Sequence, residues 1–431
     1  MGKSLLVRGA RQLLTLRGPS GPRRGAALRD LGVIENGAVL VENGIISSVG
    51  PARRIENLTS ARHSIEIDAS GCVVMPGFVD SHTHLVHGPP SLDDYERRIA
   101  RRARAGVTGD RRDESEDDAG CIDGPVGAVR LSSARRLKAQ AIASLHRMAA
   151  CGTTTVEAKS GHSLDLAGDL NCLRLLAELD RSPLDIVPTI FGSPVPPPEF
   201  EGRADAFIDW LSAGLLSQVA QKKLARFACA SCGEGAFSYA QALRFLQAAS
   251  QLGFALRLEA GRRKDLGAIR LALEARAHSV VHMEAMEANE MDNLAKSAVI
   301  ATLVPGSSFC LGSDRYAPAR ALIDSGAAVV LATGFCPRSC PNWNMQLVLS
   351  LACARLHMTP AEAISAATIN AACSLGLGSS IGSLEAGKQA DLLVLSVSDY
   401  RELPYYFGAN HVRTTLKRGV VLSPAKDLTS P

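Results

Sequence analysis

No stretch of this 431-residue chain is apolar for long enough to cross a bilayer, which excludes a membrane-spanning helix. Charge of one sign is also missing in bulk. A net charge of +4 is too small to argue for nucleic acid or a membrane surface as a partner. The cysteines number 11, but they lack paired spacings and no signal peptide precedes them. Reduced thiols in a cytoplasmic setting are therefore expected. No glycine fingerprint follows any early strand, so a dinucleotide-binding open sheet is disfavoured. Acidic residues are absent from positions 1–28, which carry Lys3, Arg8, Arg11, Arg17, Arg23 and Arg24. An organelle transit peptide would have that character. Serine is scarce there, however, and Ser4–Leu16 has the apolar pattern of strands, so the segment is assigned to a β domain.

What is present is the composition of a soluble globular protein, 46% hydrophobic and 21% charged. The length suits several domains or one large barrel with an appendage. Residues 1–70 hold short β-prone runs, with Asn43-Gly44 as a hairpin signal between two of them. Residues 381–422 return to β-prone runs. Between these ends lie eight strand candidates: Val73–Asp80, Thr154–Lys159, Asp185–Phe191, Arg226–Ala230, Ala255–Glu259, Ser279–His282, Val299–Val304 and Ala328–Thr333. Helical stretches such as Tyr239–Leu252, Leu266–Ala275 and Pro318–Ser325 separate most of them. The pattern predicts an α/β fold, a (β/α)8 TIM-type barrel over 71–380. A small β-sandwich domain is expected from both termini, 1–70 and 381–431. The first crossover is unusually long. It contains a basic run from Arg97 to Arg104 and an acidic run from Asp113 to Asp118, blocks that read as solvated.

The most informative segment is GFVDSHTH, Gly77–His84. It closes an apolar run that reads as a buried strand, and alternation places Asp80, His82 and His84 on one side. Two imidazoles at a strand end suit a divalent metal, and Asp80 is placed to orient one of them. An ion there would point to hydrolysis by an activated water. Asp314, Cys336, Cys340 and the pair Cys229 and Cys232 are weaker candidates for metal ligation.

These segments resemble a known family. GFVDSHTH, CGTTTVEAKSGHSLDL (Cys151–Leu166), SVVHMEAM (Ser279–Met286), MTPAEAISAATINAACSLGL (Met358–Leu377) and IGSLEAGKQADLLVL (Ile381–Leu395) are similar to the imidazolonepropionases of the amidohydrolase superfamily. The resemblance implies a barrel flanked by a composite β domain. It also implies one zinc or iron ion and hydrolysis of a cyclic amide or amidine C–N bond in histidine degradation. Its metal shell would be an HxH pair, a His after strand five and an Asp after strand eight. His82 and His84 match the pair. Glu259 stands in the strand-five slot and Gly334 where the Asp belongs. Gly261 and Arg262 replace an acidic pair, and His282 matches a further histidine near the substrate. His87-Gly88-Pro89-Pro90 stands where the family has a Trp and an Arg, and Gly120–Gly127 is a poor match to its glycine-rich loop.

The expected site is thus His82, His84 and Glu259 for the metal, with His282 catalytic. A small-molecule substrate is the expected partner, and a homodimer is compatible with the resemblance. The alternative is a non-catalytic relative that keeps the scaffold as a ligand-binding or interaction protein.

Overall fold

The computed structural model describes residues 4–422 apart from 109–128, 131, 162, 164, 194–195, 234–235 and 338. In chain order the strands are β1 (Ser4–Leu14), β2 (Val33–Glu42), β3 (Ile45–Pro51), β4 (Ile65–Asp68), β5 (Val73–Pro76), β6 (Phe78–Asp80), β7 (Thr153–Lys159) and β8 (Asp185–Gly192). There follow β9 (Phe227–Cys232), β10 (Ala255–Ala260), β11 (Ser279–Val281), β12 (Ile300–Leu303), β13 (Ala328–Leu331), β14 (Leu392–Leu395), β15 (Val412–Lys417) and β16 (Val420–Leu422).

Strands β6 to β13 pair in parallel, in sequence order, as one sheet of 8 strands. The two ends of this sheet meet where Thr83 bridges Phe335, so the sheet curls into a nearly closed barrel. Asp80 fastens the seam. Its Oδ1 accepts the Thr333 backbone N–H at 3.0 Å, and its other oxygen accepts the Thr333 hydroxyl. The expected helices are present with slightly tighter ends, at Tyr239–Gln251, Ala268–Glu274 and Ala319–Asp324. Their apolar faces and the strands share one large core.

The terminal segments build a second sheet in the order β16-β15-β14-β5-β1-β2-β3, with β4 also on β1. It is one continuous sheet that bends back on itself. The Ile46 N–H reaches the Lys388 carbonyl at 2.9 Å, and Leu5, Val39, Leu392 and Leu416 share one apolar core. Of the basic start of the chain, Arg8 and Arg11 lie in β1, a single strand from Ser4 to Leu14 with a register shift between Val7 and Ala10. Asn43 and Gly44 both have positive φ, 54° and 79°, as a two-residue hairpin that follows strand twist requires.

The single strand expected over Val73–Asp80 is two. β5 belongs to the terminal sheet and β6 opens the barrel, because Pro76-Gly77 breaks the run. Gly77 packs so tightly on barrel strand β7 that an added Cβ would lie 2.3 Å from Thr154 Cγ2. The two sheets are also riveted by charge. Lys417 on β15 contacts Asp391 at 2.6 Å and Asp185 on β8 at 2.7 Å.

The basic run Arg97–Arg104 lies in the helix Leu92–Thr108. The acidic run from Asp113 to Asp118 and the segment Gly120–Gly127 lie outside the described residues. Among the described residues no helix is long and apolar enough to cross a membrane.

Candidate metal centre

Every expected ligand comes from the carboxyl end of a barrel strand, the end where barrel chemistry collects. His82 and His84 follow β6, and Glu259 sits near the end of β10. Alternation turns Glu259 and Arg257 to the same side of β10, and Glu157 and Lys159 to the same side of β7. The interior is consequently charged. Glu157, Lys159, Arg257, Glu259 and His82 are all buried.

Ligand atoms of His82, His84 and Glu259 lie within 4.8 Å of one another. His82 Nε2 is 3.7 Å from Glu259 Oε1, and the two imidazole rings meet edge to face at 5.6 Å. Glu259 Oε1 is buried yet has no hydrogen-bond partner. A buried carboxylate oxygen without a donor is costly and calls for a cation. Two histidines and one glutamate form a donor set known for catalytic zinc, leaving a fourth position open. The residues present therefore fit a divalent ion.

Lys159 complicates the fit. Its ammonium lies 2.9 Å from His82 Nδ1, 3.2 Å from Glu157 and 3.6 Å from Glu259. Burial pulls its pKa down, but the Glu157 and Glu259 carboxylates outweigh burial and hold it above the ordinary lysine value. The charged amine therefore donates to Nδ1, which places the ring proton of His82 on Nε2. Burial, aided by the Lys159 charge, keeps His82 far below the usual imidazole range, so the ring is neutral. An ion on Nε2 must displace that proton, and the amine must then turn away from Nδ1. Glu157, Glu259, Lys159 and Arg257 already balance in charge, two negative against two positive. An added dication would draw on Glu259 alone among the ligands.

Strand eight contributes nothing to hold it. Gly334, at φ +65°, follows β13 and carries no side chain. Cys336 and Cys340, both reduced, pair through their backbones in the loop beyond, and neither joins the cluster of His82, His84 and Glu259. Asp314 is exposed, and it too stands outside that cluster. Cys229 and Cys232 are buried on β9, where burial pushes both thiols up.

Asp80 does not orient an imidazole, contrary to expectation. Both its oxygens are engaged by Thr333, and its contact to His82 is a 3.5 Å bond from the backbone N–H. Lys159 holds the ring instead.

His282, after β11, faces the site with its ring 5.6 Å from that of His82. It has φ +63° and is buried. Arg262, in the position of a lost acid, lies against it. Nε is 3.2 Å from Nδ1, and one terminal nitrogen is 3.2 Å from Nε2. Glu284 Oε1 is 3.8 Å from Nδ1. Burial alone would raise the Glu284 carboxyl, but His282 and Arg262 hold it below its usual value. His87 is turned away from the ligands. Its Nδ1 is 2.6 Å from the Gly88 carbonyl and its ring edges onto Phe335.

Lys159, Glu157 and Arg257 were missed as site residues. The signal was available, since charges two apart within the apolar runs Thr154–Lys159 and Ala255–Glu259 must face inward together.

The comparisons with known proteins agree with this architecture. The Amidohydrolase family model matches residues 229–422. An imidazolonepropionase from Alkaliphilus metalliredigens is 36% identical, aligned over 96% of this chain and 97% of that protein. Another from Chloroflexus aggregans is 38% identical over 97% of this chain and 98% of its own. Among solved structures, a zinc-bound adenosine deaminase from Xanthomonas campestris superposes with a TM-score of 0.67 at 19% identity, covering 97% and 92% of the two chains. A mutant atrazine chlorohydrolase from Arthrobacter aurescens, complexed with zinc and atraton, gives 0.66 at 18%, covering 97% and 95%. Those two likenesses speak for the fold. The near-complete alignment at more than a third identity speaks for descent, and the chain belongs to the imidazolonepropionases of the amidohydrolase superfamily.

Proposed function

We propose that the protein hydrolyses a cyclic amide or amidine C–N bond of a small molecule, with one zinc or iron ion held by His82, His84 and Glu259. The observation that carries this reading is the buried Oε1 of Glu259, which accepts no hydrogen bond and lies within reach of two imidazoles. Such an ion acidifies water and polarises a carbonyl oxygen. Around it, His82 and His84 set the position of the reacting carbonyl at the barrel mouth. His282 is the one further imidazole beside them among the described residues, and we assign it proton transfer to the departing ring nitrogen. Arg262 holds its ring by donating to Nδ1, and Glu284 offsets the positive charge beside it. Gly334 offers no carboxylate base, so turnover should be slow beside relatives that keep one.

Gly334 and Arg262 also favour a second reading, a scaffold without catalysis. Metal content separates the two. The hydrolase reading expects one equivalent of zinc or iron in the purified protein. It expects loss of the ion in His84→Ala and Glu259→Ala, and ring opening of an imidazolone substrate that stops in His282→Ala. No bound metal, with an unfolding temperature unchanged by a chelator, would leave the non-catalytic reading.

A further inference from the structure

Three aromatic rings stand in solvent on the segment between β14 and β15. Aromatic residues make up only 4% of the chain, yet Tyr405, Tyr406 and Phe407 are consecutive and are 74%, 52% and 77% exposed. The rings of Tyr405 and Tyr406 meet edge to face at 4.9 Å, and the His411 ring lies 6.1 Å from that of Tyr406. Leu403, just before them, is buried in the large core, so the segment turns one side inward and the rings outward. Contiguous exposed apolar surface of this kind marks a contact surface.

The segment is held in that pose at both ends. Glu402 Oε1 accepts the N–H groups of Ser398 and Asp399 at 3.1 and 2.9 Å, at the start of the short helix Glu402–Tyr405. The Tyr406 N–H donates to the Glu402 carbonyl at 3.1 Å. Beyond the rings, Asn410 donates to the Ala150 carbonyl at 2.9 Å and accepts from Gln346 at 2.9 Å. The His411 N–H donates to Gln346 Oε1 at 2.9 Å. Aromatic anchors that are fixed before contact lose little entropy on association. Ala150 leads into the amino end of β7, whose other end carries Lys159. The rings therefore stand at the end of the barrel away from His82 and His84.

We propose that Tyr405, Tyr406 and Phe407 form the centre of a twofold contact between two copies of this chain. Area and charge both select a second copy. A fully exposed aromatic side chain offers about 150–250 Å², so at these exposures the three leave roughly 400 Å² in solvent. Two copies bury that surface twice, about 800 Å², half of a standard interface of about 1,600 Å² and the right share for its apolar centre. A twofold contact sets a patch against itself, so charge of one sign at its centre would repel its own image. Residues 403–412 hold no Lys, Arg, Asp or Glu. Charge begins at the rim, where both signs are present in the pair Arg401 and Asp399 at 2.7 Å. A strongly charged partner would meet no counter-charge in the patch. Pairing on this face leaves the barrel mouth open, and it does not depend on the hydrolase reading.

The test follows the mass of the full-length protein by sedimentation velocity from about 0.5 to 50 µM. The expected species is a dimer that dissociates on dilution and whose affinity changes less than about threefold with added salt, because its centre is neutral. Tyr405→Ser and Phe407→Ser should each weaken it at least about tenfold, and the double variant at least about 100-fold. The replaced rings stand in solvent, so the far-ultraviolet circular dichroism and unfolding temperature of the variant monomers should match the parent monomer. Ala409→Arg removes no contact and sets like charge across the twofold, so it should weaken the dimer as well. Backbone hydrogen exchange over residues 403–411 should slow in the dimer and recover on dilution. A protein that stays monomeric at about 50 µM overturns the proposal. So does a dimer whose affinity the double variant leaves unchanged, or one that slows exchange only in other segments.

Discussion

Replacing Lys159 with Met tests the electrostatics of the barrel interior. The ammonium is fully buried, 3.2 Å from Glu157 and 3.6 Å from Glu259. At an effective dielectric of about 20, a unit pair at 3.2 Å attracts by roughly 5 kcal/mol, which offsets much of the desolvation of both groups. Lys159→Met keeps the volume and leaves Glu157 with Arg257 at 3.9 Å and the Thr83 N–H at 3.1 Å. Breaking one side of a buried pair costs about 3–5 kcal/mol. That corresponds to a thermal midpoint about 3–6 °C lower in metal-free protein, measured by calorimetry. The double variant Glu157→Gln/Lys159→Met removes both charges and should recover at least about 1 kcal/mol of the loss. The same change frees Nδ1 of His82 and takes a positive charge from beside the ligands. Zinc affinity, read by competition with a chromogenic chelator, should therefore rise while stability falls. A Lys159→Met protein within about 0.5 kcal/mol of the parent, or one with weaker zinc binding, would refute the reasoning.

Three further expectations concern the frame around the site. Glu362 bonds Arg320 at 2.9 Å and Arg29 at 3.0 Å and caps its helix at the Thr359 N–H. Burial pushes its carboxyl up, but Arg320, the Thr359 amide and Arg29 hold it down at about 2. Its stabilisation is thus present above its ordinary value of 4.5 and is lost as pH falls through about 2. Discounted for the partial exposure of both arginines, it amounts to about 2 kcal/mol, and Glu362→Gln should flatten the acid limb of stability against pH in that window. Asn370 is buried, accepts the Arg23 N–H at 2.7 Å, and donates to the Arg23 and Val329 carbonyls at 2.9 Å each. Asn370→Ala strands these groups and should cost about 2–4 kcal/mol in urea unfolding. Gly77→Ala forces a methyl to within 2.3 Å of Thr154, and should cost about 1–3 kcal/mol together with a drop in metal content.

Much of the frame was legible because period decides it. The parallel strands β7 to β13 announce themselves as short apolar runs between helical stretches, and Asn43-Gly44 marks its hairpin. The break at Gly77 was missed although Pro76-Gly77 carries its signal, because apolar residues continue on both sides of that pair and give no hint that they enter two different sheets. At the site, His82, His84 and Glu259 were found by strand ends and converge as expected. The partner of His82 was not found. Asp80 is adjacent in sequence but faces Thr333 across the barrel seam, whereas Lys159 arrives from the next strand. Arg262 read as the loss of an acid, and its contact with His282 arises because the two residues follow neighbouring parallel strands, β10 and β11.

The glycine between β5 and β6 has a mechanical consequence. A single strand direction runs from the sheet of the termini into the barrel and, two residues past β6, becomes His82. No flexible linker separates the outer sheet from the imidazoles. Lys417 and Asp185 pin the same two layers a short way along. A shear of the outer sheet, by a bound molecule or a substitution far from the mouth, would therefore be felt as a shift of the imidazole nitrogens, so the appended sheet belongs to the tolerance of the candidate site.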